Sequence, residues 1–395
     1  MRNKGSQPTT MLTISGRIKV FRRFYHSPFE GTVTPIEQLL FDPDHSVSRG
    51  VREMACRLNN DSHNFDRAAE NLSRTAHIQM SGEQLRQLVE AEGRRVLEKQ
   101  RLNEIPTAFV ATDCIVDPAA PAKTRLYVGV DGVTVPLITE TEKTRRREKV
   151  VQKRRIRGHR CRPLLPKKKG ADRPYKEFKT IAFYDEQGGH AHQSLMGIRR
   201  TKTGDVVRRE AKRLKFETAT ERVALVDGAS WIKEQLEEKP LPLDGLGLDF
   251  YHLSENAHRC RRAVYGLSEE ITAPGQVWVT ELLHIFKHDG YDKAWDHLMQ
   301  WRPTVRSRAG KKAADRFINY VSERRDMIDY PDFAAKGWQI GSGPTESRCK
   351  TTTSRLKKRS RRWDSSNAEA VAALTTLIDS GQWNLYWKIP CHSKT

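Results

Sequence analysis

Two short apolar runs, Leu126 to Val130 and Val223 to Val226, each end in Asp-Gly, at Asp131-Gly132 and Asp227-Gly228. Runs of this length rich in Val, Leu and Tyr read as strands buried inside a sheet. Each aspartate then falls at the end of a buried strand. Further strands are expected at Val133 to Ile138, Phe178 to Tyr184 and Leu246 to Tyr251. Helices are expected over 204–216 and 230–238, between those strands. Strands interleaved with helices imply an α/β core.

The flanking regions have a different texture. The first eleven residues look untethered, and Leu12, Ile14, Ile18 and Val20 then alternate with polar residues as in a strand. Residues 1–45 are therefore a β-containing segment. Residues 46–104 read as helical. Phe65, Ala68, Ala69 and Leu72 share one helical face. Ser81 opens a second helix, with Gln84 three residues on as in a capping box. Two helices and a short turn, the second carrying Arg86 and Gln87, suggest a helix-turn-helix that reads DNA. An ordinary helical hairpin with a solvated charged face fits the same pattern. Residues 105–124 are rich in Pro and Ala and read as a linker. Residues 254–335 read as an all-helical insertion, and 336–395 as two closing helices that start near Ser342 and Ser366.

Charge narrows the partners. The formal net charge is +21 over 395 residues, and a chain this basic is expected to meet a polyanion, nucleic acid first. Between Lys143 and Lys179 stand 17 Lys or Arg against three acids, an excess of 14. Pro163, Pro166, Gly170 and Pro174 suggest a long basic loop over 143–179. In it Arg145, Arg146, Arg147, Arg154 and Arg155 are expected to track phosphates. A second cluster holds Lys350, Arg355, Lys358 and Arg362, with no acid from 347 to 363. No run approaches the ~18 apolar residues of a membrane span. Six scattered Cys without a CxxC pair fit reduced thiols in a cytoplasm better than disulfides or a zinc ribbon.

Three acids stand where solvation does not explain them. Asp131 and Asp227 sit at strand ends, and Glu346 sits in Gly341-Ser-Gly-Pro-Thr-Glu346, on the first turn of a helix that Ser342 can cap. Converging carboxylates repel one another, and divalent cations remove the conflict. Hard oxygen ligands suit magnesium, with manganese as a substitute. Two such ions serve phosphoryl transfer. Each acid alone is a weak signal, since Asp-Gly after a strand is commonly just a turn.

The ordered stretches Tyr127-Val-Gly-Val-Asp131-Gly, Tyr175-Lys-Glu-Phe-Lys-Thr-Ile-Ala, Val226-Asp227-Gly-Ala-Ser-Trp231-Ile, Leu248-Asp249-Phe-Tyr-His252 and Gly341-Ser-Gly-Pro-Thr-Glu346-Ser-Arg-Cys-Lys350 are followed by Arg355-Leu-Lys and Arg362-Trp363. As a set they resemble the bacterial insertion-sequence transposases of the DDE class, of the IS-Kra type, similar in organisation to Mutator and hAT transposases. The resemblance runs from about residue 12 to 387. It implies an RNase H-like catalytic core in two parts, 125–253 and 336–395, interrupted by the helical insertion. It implies that Asp131, Asp227 and Glu346 hold two magnesium ions, and that Asp249 and His252 support them from behind. It also implies terminal inverted repeats and target DNA as partners, a homo-oligomeric synaptic complex, and a bacterial cytoplasm. Lys350 and Arg355 would steer phosphates toward the metals. Trp231 and Trp338 are expected in core packing. A non-catalytic DNA-binding regulator, an RNase H-fold nuclease that cuts without joining, and a basic RNA-binding scaffold are the alternatives.

Overall fold

The computed structural model describes residues 2–29, 31–33, 46–158, 163–164, 166–197, 203–238, 241–358 and 361–388. The first residues are not untethered. Strand β1 (Arg2–Thr13) pairs antiparallel with β2 (Gly16–Ser27), and β3 (Gly31–Val33) pairs with β2. A tight turn joins the first two, with Gly16 at φ +101 and Thr13 Oγ1 donating to Gly16 O at 2.8 Å. The polar residues of β1 hide a strand whose partner, not whose own pattern, fixes it.

Three helices follow: α1 (Arg49–Asp61), α2 (Phe65–Ala76) and α3 (Gly82–Arg101). Asn64 Oδ1 caps α2 by accepting from Arg67 N–H at 2.6 Å. Ser81 and Gln84 form the expected capping box of α3. The helices do not stand apart as a separate module. Leu85, Val89 and Val96 are buried with Val371 and Leu374 of α13 (Ser365–Asp379). Gly93 lies so close to α13 that a Cβ there would be 2.1 Å from the Ala370 carbonyl. Tyr386 in α14 (Trp383–Trp387) donates to Glu92 at 2.6 Å, and Trp383 donates to Glu53 at 2.6 Å. The first half of the expected linker is packed, with Ile105, Phe109, Ala111 and Cys114 buried, whereas 115–123 is largely exposed.

The central sheet is mixed, as an α/β core requires. Its strands are β4 (Arg125–Pro136), β5 (Tyr175–Asp185), β6 (Ala191–Met196), β7 (Glu221–Val226) and β8 (Gly245–Leu248), in the order β6-β5-β4-β7-β8. β4, β5 and β6 pair antiparallel, and β7 and β8 join β4 in parallel. Alternation along β4 sends Leu126, Val128 and Val130 into one core and Tyr127 to the other face, under Phe333 and Trp338. Two expectations change here. β4 does not stop at Asp131 but runs on to Pro136 against β5, while its pairing with β7 ends at Val128. β8 stops at Leu248, because Asp249 caps a helix instead of extending the strand.

The basic segment is not a loop throughout. α4 (Glu140–Arg157) fills its first half, and its prolines all follow Gly158, which ends the helix at φ +63. Glu140 and Glu142 at the first turn and Arg154, Arg155 and Arg157 at the last suit the helix dipole. No residue of α4 is buried. The remaining helices are α5 (Thr203–Arg213), α6 (Ser230–Glu238), α7 (Phe250–Tyr265), α8 (Pro274–His288), α9 (Tyr291–Trp301), α10 (Arg308–Ser322), α11 (Tyr330–Ala335) and α12 (Gly343–Lys357). The stretch expected as an all-helical insertion contains only helices and turns.

Candidate active site

Glycine decides how closely α12 approaches β4. A Cβ at Gly129 would lie 1.8 Å from Thr345 Oγ1, so any larger residue would push the helix away. The contact sets the first turn of α12, with Glu346, over the middle of β4. Asp131 sits three residues past the last β4–β7 pair and accepts from Gly132 N–H at 2.6 Å. Asp227 directly follows β7 and accepts from Ala229 N–H at 2.8 Å. Gly228 between them takes φ +77, where a side chain would also meet Leu248 and Arg324.

Asp249 is 1 % exposed and joins two helix starts. It accepts from Tyr251 N–H at 2.8 Å, capping α7, and from the Ser342 hydroxyl at the start of α12. Ser342 therefore does not cap its own helix with its side chain, as the sequence suggested. His252 Nε2 lies 3.3 Å from Glu346 Oε1 and 4.0 Å from Asp249 Oδ2, and its Nδ1 is 3.6 Å from Glu255. One ligand atom each from Asp249, His252 and Glu346 lie within 4.8 Å of one another.

The electrostatics tie the acids together. Burial raises the pKa of Asp227 and the Asp131 charge adds to it, while Ala229 N–H, His252 and Lys179 pull the other way. Burial likewise raises that of Glu346, with Asp249 and Asp131 adding and His252 opposing. Lys179 is a residue that the sequence reading overlooked. It reads as one more polar position in β5, but its ammonium lies 3.3 Å from the Trp231 ring centroid and pairs with Glu177 at 2.5 Å. Trp231 is thus half-buried under a cation, and Trp338 is in the core as expected.

An open cavity of about 590 Å³ fronts this cluster. Asp131, His252 and Glu346 line it, and so do Lys350 and Lys357 farther along α12 and Lys358 just past its end. The other basic residues behave differently from one another. Arg355 is not available to phosphate. It is 1 % exposed, donates to Asn59 O at 3.1 Å and Asn59 Oδ1 at 2.9 Å, and lies over the rings of Phe65 and Trp363. Arg362 and Arg146 both pair with Glu142, at 2.8 and 2.5 Å. Arg145 and Arg155 are exposed on α4, and Arg147 and Arg154 are half-buried there. On α3, Arg86 pairs with Glu83 at 2.6 Å and Glu90 at 2.7 Å, and Gln87 donates to Glu83 at 2.9 Å. These contacts hold the Glu83 carboxyl down at about 2.

No helix among the described residues is long and apolar enough to cross a membrane. No family model matches the chain, and no curated protein matches it. Among solved structures the chain is similar to a Drosophila P element transposase strand transfer complex, with a TM-score of 0.30 and 11% sequence identity over 89% of this chain and 84% of that one. A likeness this slight assigns neither fold nor function.

Proposed function

We propose that this chain is a DDE-type DNA transposase built on an RNase H-like core. The observation that supports this best is that the Asp131 charge acts on both Asp227 and Glu346, residues that come from two strand regions and one helix far apart in sequence, although the described carboxylates that lie within ligand distance of one another are Asp249 and Glu346, with His252. Three antiparallel strands continued by two parallel ones are the sheet such a core needs.

The donor set fits a hard divalent cation. Two of the three carboxyls carry raised proton affinity because they are partly withdrawn from water and face other acids, and a cation would relieve that repulsion. Asp131, Asp227 and Glu346 would hold a pair of Mg2+ ions, or Mn2+ in their place. When bound, such ions supply an activated oxygen nucleophile and charge stabilisation at the leaving oxygen. The chain's own groups do the rest. Asp249 and Ser342 hold the first turn of α12 in place, and His252 restrains the Glu346 carboxylate. Lys350, Lys357 and Lys358 draw a DNA phosphate into the cavity beside the acids. Arg145, Arg147, Arg154 and Arg155 on α4 bind the backbone of the terminal inverted repeat, while on α3 Gln87 is exposed and Arg86, half-buried, would have to leave Glu83 and Glu90 to reach DNA. Cutting confined to paired ends calls for a homo-oligomer.

The test is strand cleavage and joining on a labelled duplex taken from the DNA that flanks the coding sequence. Wild type should yield magnesium-dependent nicks and joined products, and Asp227→Ala should yield neither while binding the duplex as before. Cutting without joining would indicate a nuclease on the same core. Binding without cutting in either protein would indicate a regulator.

A further inference from the structure

The N-terminal ribbon takes no part in the acidic site. Among the described residues it is tied to the body near its turn. Leu12 N–H donates to Ser46 O and Ser48 N–H to Leu12 O, each at 2.8 Å, Met11 and Leu12 are buried, and Ile14 lies against Gly50. From there two strands of 12 residues run outward together. At ~3.4 Å per residue they span roughly 40 Å. Residues 1–29 include six Lys or Arg and no Asp or Glu. Arg17, Lys19, Phe21 and Arg23 follow one another at every second position of β2, so they share one face. All four are exposed, Phe21 at 68%. Among the described residues β3 covers β2 only at Tyr25–Ser27, so from Arg17 to Arg23 the ribbon is two strands wide, β2 with β1.

We propose that the ribbon is a DNA-binding arm whose basic face lies in the major groove of a duplex. The acid-free charge selects a polyanion. A pair of strands fits the ~12 Å width of that groove, whereas a single strand would leave it largely empty. Phe21, set among the cations, supplies an apolar contact of the kind a thymine methyl accepts. The inference rests on the DNA reading above and adds a contact surface separate from α4 and from the cavity.

The test compares full-length wild type with R17Q/K19Q/R23Q on one duplex. It measures the salt dependence of binding and the dimethyl sulfate reactivity of guanine N7, an atom of the major groove. The variant should lose up to about 2.7 from the slope of log K against log[KCl], at ~0.9 per phosphate contact. Guanines protected by wild type should become reactive, with the thermal melt unchanged. Absence of duplex binding by wild type would remove the DNA reading altogether. An unchanged slope and unchanged protection in a variant that binds would overturn the arm and leave that reading standing. An unchanged slope with a smaller oligomer in sedimentation would assign the ribbon to pairing with a second copy, and would also overturn the arm.

Discussion

Arg355 shows at the residue scale how position overrides composition. It belongs to the basic cluster from Arg348 to Arg362, yet its guanidinium is out of water, hydrogen-bonded to Asn59 and flanked by Phe65 and Trp363. Arg355→Ala should leave Asn59 groups without a partner and open a cavity, costing on the order of 3 kcal/mol in urea unfolding. The salt slope of DNA binding should stay as it was. A stable variant with a slope lower by ~0.9 would make Arg355 a phosphate contact after all. The acids give the second prediction at this scale. Asp227 and Glu346 both have raised pKa values. Metal-free, they bind protons more readily folded than unfolded, so their contribution to stability is complete below the ordinary carboxylate range. It is lost as pH rises through the raised values. Magnesium should act in the opposite sense. At neutral pH, tenfold above its dissociation constant, it should stabilise the protein by about 1.4 kcal/mol, fading as the solution is acidified. A melting temperature indifferent to magnesium at pH 7.5 would count against the metal site.

At the scale of elements, α4 joins what the sequence kept separate. Its charge was evident, but its helicity was masked by prolines that all lie beyond Gly158. A single helix holds Arg145, Arg147, Arg154 and Arg155 in fixed relation, which a loop would not. Neutralising these four to Gln should reduce the salt slope of duplex binding by up to about 3.6, measured by anisotropy across a KCl series. A slope that does not move would leave α4 as a solvated face. α12 makes the complementary case. Its start was legible from Gly-Pro and its charge from the basic run, but its seating on β4 depends on Gly129, 217 positions before Glu346. No local pattern carries that pairing.

For the whole molecule, the decisive contact is between α3 and α13. Gly93 allows the two backbones to touch, and Trp383 and Tyr386 close the same interface from α14. The N-terminal helices therefore share a core with the C-terminal ones. Residues 1–104 expressed alone should lack a cooperative melt, because α3 would expose Leu85, Val89 and Val96. Brief proteolysis of the full chain should spare residues 105–114, whose Ile105, Phe109, Ala111 and Cys114 are buried, and any early cut should fall in the exposed 115–123. Early cleavage within 105–114, releasing a folded N-terminal piece, would restore the linker.

Local chemistry was readable from the residues in order. Apolar runs marked β4 and β7, the Ser81–Gln84 box marked the start of α3, and the isolated acids stood out because their neighbours are apolar or glycine. Such features depend on the nearest few residues, where backbone preference and side-chain period act. Long-range placement did not follow from them. That β1 pairs with β2, that Asp249 is bonded to Ser342, that Lys179 rests on Trp231, and that Arg355 is buried are all results of packing between distant segments. A side chain's charge is written in the sequence, whereas its solvent and its partners are set only when the core closes around it.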